Sequence, residues 1–194
     1  MHYKLIAKQP LYRGFFKLDA YTVEHERFDG GHLTIRREHL ERGDAVAVLL
    51  YDPDKDTVLL IEQFRIGPAV RGAIEEKDAW LIEIVAGMVD KGEDPETCAR
   101  RECIEEAGYE PEILQPLGSY YATPGGSSER IYLYKGEVDA DKPCGSGGGL
   151  DEEHEDIRTQ WVSRKQAMQW MNEGRINSAP PLLALLLAFG STGR

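Results

Sequence analysis

The sequence predicts a layered α/β fold preceded by a small antiparallel β-sheet. Three observations lead there. Residues 45–50 (AVAVLL) and 57–61 (TVLLI) are short continuous apolar runs on either side of the turn sequence Asp52-Pro53-Asp54-Lys55-Asp56, the pattern of two buried strands. Beyond them, strand-like and helix-like stretches alternate to the end of the chain. Before them, about forty residues carry only extended, roughly alternating runs.

In that first region Phe15, Leu18, Tyr21 and Val23 stand among polar neighbours, and Asp29-Gly30-Gly31 is a turn signal before Leu33 and Ile35. Antiparallel strands follow from this pattern, in a sheet too small to stand well alone. Residues 80–85 read as one further strand ending at Gly87. Asp94 can cap free N–H groups and Pro95 suits a first helical position, while Gly108 is a natural residue just past a helix end. A helix over residues 95–107 is therefore expected. Strands are expected near residues 113–122, 130–138 and 158–162. Residues 145–149, rich in glycine, are expected to be a mobile loop. Ser163 looks like the cap of a helix running to Glu173, and Pro180-Pro181 opens a last apolar helix. The expected division is residues 1–42 as an N-terminal β segment and 43–194 as the main domain.

Composition excludes several classes. The 194 residues are 41% hydrophobic and 29% charged, which suits a globular chain rather than a disordered one. A formal charge of −11 argues against non-specific nucleic-acid binding. An acidic chain can still take an anionic ligand where metal ions and local arginines invert the field. The three cysteines, Cys98, Cys103 and Cys144, form no CxxC pair, so neither a disulfide framework nor a zinc site is expected. A reducing compartment follows. The first ten residues have no apolar core of signal length, and the most apolar run, residues 182–189, is far too short to span a bilayer. A cytoplasmic protein without a membrane segment is expected.

The chemistry concentrates in residues 87–109, GMVDKGEDPETCARRECIEEAGY. Glu102, Glu105 and Glu106 stand at i, i+3 and i+4, on one face of a helix. Like charges at that spacing repel and invite an external cation, and carboxylate oxygens are the ligands Mg²⁺ prefers. Arg101 beside them can fix a carboxylate by a bidentate contact. The spacing is Gly87, five residues, Glu93, seven residues, then Arg101-Glu102-Cys103-Ile104-Glu105-Glu106-Ala107-Gly108-Tyr109.

This stretch resembles the Nudix box, G-x5-E-x7-R-E-U-x-E-E-x-G-U, with U a bulky aliphatic residue. Every fixed letter is present; Cys103 and Tyr109 occupy the two U positions. Residues 11–19 (LYRGFFKLD), 36–43 (RREHLERG), 60–66 (LIEQFRI) and 150–158 (LDEEHEDIR) resemble the bacterial ADP-ribose pyrophosphatase branch of that family. So does Pro124, about fifteen residues past the box, in the segment ATPGGSSER. The likeness runs from Leu11 to about Leu187.

The resemblance implies a Nudix α/β/α sandwich with a mixed sheet and hydrolysis of ADP-ribose to AMP and ribose 5-phosphate. It implies Mg²⁺, with Mn²⁺ a possible substitute, on Glu102, Glu106, Glu155 and the backbone carbonyl of Ala86. Glu105 is then a nearby ligand or supporting group, and Glu153 the general base. Glu93 supports the loop–helix geometry. Phe15 and Phe16 are implied to lie by the adenine with Arg37, Glu38 and Arg42 near them, Arg65 at the pyrophosphate, and Met88, Thr123, Pro124, Gly125 and Glu129 on the ribose side. From the residues alone, Phe15 and Phe16 could equally be core residues and Arg37 a cross-strand partner. A homodimer sharing the N-terminal sheet is implied as well. Two other readings stay open. One is a hydrolase of another nucleoside diphosphate sugar, such as GDP-mannose, or of a dinucleotide. The other is a nucleotide-sensing domain without hydrolysis, which the intact acidic positions disfavour.

Overall fold

A computed structural model describes residues 1–71, 79–150, 152 and 154–190. The chain divides into two compact units, Met1–Asp44 with Tyr120–Ile131, and Ala45–Ser119 with Tyr132–Arg194.

The first unit is built on three antiparallel strands, β1 (Tyr3–Arg13), β2 (Lys17–Glu26) and β3 (His32–Glu41). β2 and β3 form a regular hairpin from Lys17↔Glu41 to Glu26↔His32, closed by the expected Asp29-Gly30-Gly31 turn, where Arg27 N–H donates to the Gly31 carbonyl. β1 joins β2 with register shifts between Leu5 and Ala7 and between Pro10 and Tyr12. All eleven β1 residues are exposed, so neither face of this strand is buried within the chain. The Leu40 N–H donates to the Gly126 carbonyl, tying residues 123–128 to the end of β3.

The second unit holds the main core. A seven-stranded mixed sheet has the order β10-β5-β4-β9-β8, with β6 on β5 and β7 on β4. Its strands are β4 (Ala45–Asp52), β5 (Thr57–Phe64), β6 (Trp80–Glu83), β7 (Val85–Met88), β8 (Ile113–Tyr121), β9 (Arg130–Glu137) and β10 (Arg158–Ser163). The two apolar runs form β4 and β5, with Asp52 accepting from Asp54 N–H and Lys55 N–H in the turn. Successive side chains point to opposite faces. Val46, Val48 and Leu50 with Leu59 and Ile61 pack against Cys98, Ala99, Cys103 and Ala107 of the acidic helix. On the other face Tyr51 meets Phe189 of the last helix, ring centroids 5.0 Å apart. Helices thus cover both faces, the expected α/β/α sandwich.

The single strand expected over residues 80–85 is two short strands instead. The buried Ile84 separates β6, which continues the β5 edge (Ile61↔Glu83), from β7, which pairs with β4 (Val48↔Val85). The crossing from one strand to the other carries the chain over the acidic helix, and Gly87 lies inside β7 rather than after a strand.

The helices are α1 (Ile66–Val70), which the sequence did not announce, α2 (Pro95–Glu102), α3 (Arg164–Asn172) and α4 (Ala179–Phe189). Asp94 caps α2 by accepting from Glu96 N–H and Thr97 N–H, and Ser163 caps α3 by accepting from Gln166 N–H. The expected α-helix over residues 95–107 needs correction at its end. It winds as α only to Glu102, and Cys103–Ala107 forms one turn of π-helix. Gly108, left-handed at φ 76°, closes that turn with its N–H on the Ile104 carbonyl, and Tyr109 N–H reaches the Cys103 carbonyl. Residues 145–149 form no regular element, yet they are not loose: the N–H groups of Cys144, Gly145, Gly148 and Gly149 donate to carbonyls at the end of this helix.

Candidate active site

The acidic helix and the loop before it are organised by one guanidinium. Arg101 donates from Nε and Nη2 to the two oxygens of Glu93 (3.1 and 3.2 Å) and from Nη1 to Glu102 and Glu105 (2.8 Å each). Glu93 in turn accepts from Asp90 N–H, which folds the loop between β7 and α2. The Arg101 fork depresses the Glu93 pKa below the usual carboxylate range. Lysine cannot reproduce a planar fork with several partners. Arg101→Lys should therefore lower kcat/KM by about tenfold or more, because the three carboxylates lose their common fixture. Steady-state kinetics with unchanged circular dichroism checks it; wild-type kcat/KM would show that Arg101 only braces the loop.

The three glutamates are not equally exposed. Glu105 stays partly exposed beside Arg101. The Glu102 side chain is 12% exposed. Glu106 is 1% exposed, its carboxylate accepting from Ala86 N–H at 3.0 Å. A Cβ on Gly87 would stand 1.9 Å from the Glu102 carboxyl carbon, so glycine is what allows β7 to pass so near this side chain. Burial raises the Glu106 pKa to about 8, against the Ala86 N–H; the charges of Glu102 and Glu155 raise it further, and Arg65 opposes. Burial raises Glu102 to about 7, with Arg101 opposing and Glu105 and Glu155 adding to the rise. Arg65 is held by Glu83, Nε to Oε2 2.6 Å.

Two carboxyl groups are thus buried beyond what their hydrogen bonds compensate, with a third charge, Glu155, acting on both. A hard divalent cation fits this all-oxygen donor set. Among the described residues, no group of three His, Cys, Asp or Glu is already gathered around a common point. Glu102 is turned to Arg101 and Glu106 to Ala86 N–H.

A pH dependence follows. A carboxyl whose folded pKa lies above its unfolded value stabilises the fold when protonated, and that contribution is lost as pH rises through the folded pKa. Chelator-treated protein should therefore lose melting temperature between about pH 4.5 and pH 8, the interval from the ordinary glutamate value to the raised ones. Added Mg²⁺ should raise the melting temperature more at pH 8 than at pH 6. Calorimetry across that range checks both statements, and a flat profile contradicts the buried pair.

The substrate candidates fall within each unit as follows. In the first, Phe15 is 94% exposed and stands edge-on to Phe16 with ring centroids 5.0 Å apart, so neither is a core residue of the described chain. Arg42 lies over the Phe16 ring at 5.5 Å and pairs with Glu129 at 3.5 Å. Glu129 is 8% exposed. Thr123 accepts from Gly126 N–H and Ser127 N–H in the turn carrying Pro124 and Gly125. Phe16, Arg42 and Glu129 thus form one group, with an aromatic face, a guanidinium and a carboxylate. Arg37 donates to the Arg36 carbonyl, and Glu38 is exposed opposite Ala20. In the second unit, Met88 is exposed at the end of β7, its carbonyl accepting from the Cys98 thiol. Glu153 lies outside the described residues. Glu83 was not singled out from the sequence; its signal is a lone carboxylate inside the apolar run WLIEIV.

The fold and the carboxylate-bearing helix place the molecule in a class already represented among solved structures. It superposes on one described as "Crystal structure of ADP compounds hydrolase" with a TM-score of 0.73 at 18% identity, over 97% of this chain and 92% of that one, a likeness of fold. The NUDIX domain model matches residues 41–185, and the chain belongs to that family. An ADP-ribose pyrophosphatase of Escherichia coli (strain K12) is 48% identical over 185 residues, 94% of this chain and 85% of that protein. The ADP-ribose pyrophosphatase of Haemophilus influenzae is 44% identical over 183 residues, 94% and 83%. A GDP-mannose pyrophosphatase of Cronobacter sakazakii is 35% identical over 185 residues, 95% and 94%.

Proposed function

We propose that this protein hydrolyses the pyrophosphate of ADP-ribose to AMP and ribose 5-phosphate with the help of Mg²⁺, Mn²⁺ being a possible substitute. The observation that carries the reading is 48% identity to a pyrophosphatase of that substrate over 94% of the chain, with every acidic position of the box kept. Glu102, Glu106, Glu155 and the Ala86 carbonyl are assigned as cation ligands, with Glu105 adjacent. Glu153 takes the proton of the attacking water, whose oxygen bonds to one phosphorus while the bridging P–O bond breaks and its electrons leave with the other phosphate. The cation, when bound, offsets charge on the phosphate oxygens and lowers the pKa of that water. Arg65 is assigned to the pyrophosphate, the Glu83 carboxylate holding its side chain. Phe15, Phe16, Arg37, Glu38 and Arg42 take the adenosine. Met88, Thr123, Pro124, Gly125 and Glu129 take the ribose side.

Residues 1–42 are assigned to substrate binding and assembly, and residues 43–194 to hydrolysis. The exposed Tyr3, Leu5, Ile6, Leu11 and Tyr12 of β1 support a homodimer that covers this strand. A monomer by sedimentation at micromolar concentration contradicts it. No helix among the described residues is long and apolar enough to cross a membrane. The scarce, unpaired cysteines support a reducing, cytoplasmic setting, and the −11 charge makes a nucleic-acid partner unfavourable.

The deciding experiment incubates the purified protein with ADP-ribose and Mg²⁺, beside an EDTA control, and chromatographs for AMP. Metal-dependent AMP release supports the reading, and its absence from folded protein removes it. A second substrate reading, GDP-mannose, is favoured by relatives at 35% identity; comparing kcat/KM for the two substrates separates them.

A further inference from the structure

Residues 145–149 lie along the end of the acidic helix. Gly148 N–H donates to the Glu106 carbonyl at 2.8 Å and Gly149 N–H to the Glu105 carbonyl at 3.1 Å. Cys144 N–H and Gly145 N–H both donate to the Gly108 carbonyl. The segment thus satisfies the carbonyls that a helix terminus leaves free. It also fixes its own position against the turn that carries Glu105 and Glu106.

Two glycines make so close an approach possible. A Cβ on Gly147 would fall 2.6 Å from the Ala107 carbonyl carbon and 2.9 Å from the Glu106 oxygen, backbone atoms that cannot yield. A Cβ on Gly149 would fall 2.5 Å from the Glu155 Cβ and 2.7 Å from its Oε2. Glu155 is held there from both ends: Leu150 N–H donates to its Oε2 at 3.2 Å, and its own N–H donates to the Leu150 carbonyl at 3.3 Å. Ile157 N–H closes the loop on the Gly148 carbonyl at 3.1 Å.

We propose that this glycine strap is the positioning device for Glu155, and that Gly149 is its specific positioning residue. The absent side chain leaves the space in which the Glu155 carboxylate stands, and the bonds to Glu105 and Glu106 hold that carboxylate in register with the helix carboxylates. Glu102 and Glu106 sit on the helix and Glu155 on a separate loop, so a cation shared among them needs their separation fixed. The strap supplies that fixture through backbone atoms of the ligand-bearing turn itself. The proposal rests on the reading of Glu155 as a cation ligand.

Gly148 provides the control. It too has positive φ, +102° against +85° for Gly149, so alanine is strained at either position. At Gly148, however, the nearest atom to a Cβ is the Ile157 oxygen at 3.8 Å, an ordinary contact. Strain alone predicts similar losses for Gly148→Ala and Gly149→Ala. Positioning predicts a loss confined to Gly149→Ala.

The test titrates Mn²⁺ into wild type, Gly148→Ala, Gly149→Ala, Glu155→Gly and the double variant Gly149→Ala/Glu155→Gly, reading free cation by electron paramagnetic resonance. Steady-state kinetics on ADP-ribose accompanies it. Gly149→Ala should weaken Mn²⁺ binding by about tenfold or more, while Gly148→Ala stays within about threefold of wild type. The double variant should bind no more weakly than Glu155→Gly alone, because neither the Cβ nor the carboxylate that the new methyl group would meet is then present. Equal losses in the two alanine variants, wild-type binding by Gly149→Ala, or additive losses in the double variant would each overturn the proposal. If Gly149→Ala does not fold, recovery of folding in the double variant supports the contact and failure to recover overturns it. A wild type that neither binds Mn²⁺ nor hydrolyses ADP-ribose overturns the functional reading and the strap with it. A wild type that does both, with equal alanine variants, overturns the strap alone.

Discussion

Glu106→Gln is expected to reduce turnover by about 10³-fold or more while making the metal-free protein more stable at pH 8. The two effects have one cause. Glu106 is 1% exposed, and burial holds its pKa near 8 instead of the ordinary 4.5. Keeping that site un-ionised at pH 7 while the unfolded chain is ionised costs roughly 3 kcal/mol, from 1.36 kcal/mol for each pKa unit between 4.5 and 7. Glutamine keeps an oxygen for Ala86 N–H and has no charge to bury. Under the proposed assignment it also gives up a carboxylate ligand, and with it the field that metal catalysis requires. Denaturant unfolding in EDTA, compared at pH 6 and pH 8, should show the Glu106→Gln variant gaining on wild type as pH rises. Lower turnover without this gain would mean that the Glu106 charge is compensated in the metal-free fold.

Glu153→Gln should lower kcat by about 10² to 10⁴-fold, the usual range for loss of a general base, while leaving Mg²⁺ and ADP-ribose binding near wild type. The contrast with Glu106→Gln separates the proposed base from the proposed ligand: one variant should lose the chemical step, the other the cation. The neighbouring Glu155 is tied to Leu150 N–H and is less free to accept a proton from water. Pre-steady-state turnover with calorimetric Mg²⁺ titration reads both quantities. Wild-type kcat in Glu153→Gln would move the base to Glu152 or Glu155.

Much of the fold was legible because local chemistry and tertiary packing agree. Asp94, Pro95 and Gly108 mark the ends of the acidic helix, and the runs at 45–50 and 57–61 become the two central strands. Periodicity could not show where the winding changes. The spacing of Glu102, Glu105 and Glu106 is the same for an α-turn and a π-turn, and only the packing of Cys103 and Ala107 under β4 and β5 reveals which way Glu106 faces. β1 was hidden for the opposite reason, since an all-exposed strand leaves no buried stripe to read. The Arg42–Glu129 and Arg65–Glu83 pairs join residues distant in sequence, so residue spacing alone carries no trace of them.

The π-turn has a consequence for how this chain can change over generations. Such a turn holds one residue more than an α-turn, so the register of everything after Glu102 depends on a surplus residue. Deleting any one residue between Cys103 and Ala107 would leave too few residues for this turn and would break its closing bonds, Gly108 N–H to the Ile104 carbonyl and Tyr109 N–H to the Cys103 carbonyl. Substitutions in this turn alter one group at a time, whereas a length change alters the bonding of the whole turn. Length variation among functional descendants should accordingly collect in segments such as the β2–β3 turn and be absent from these five residues.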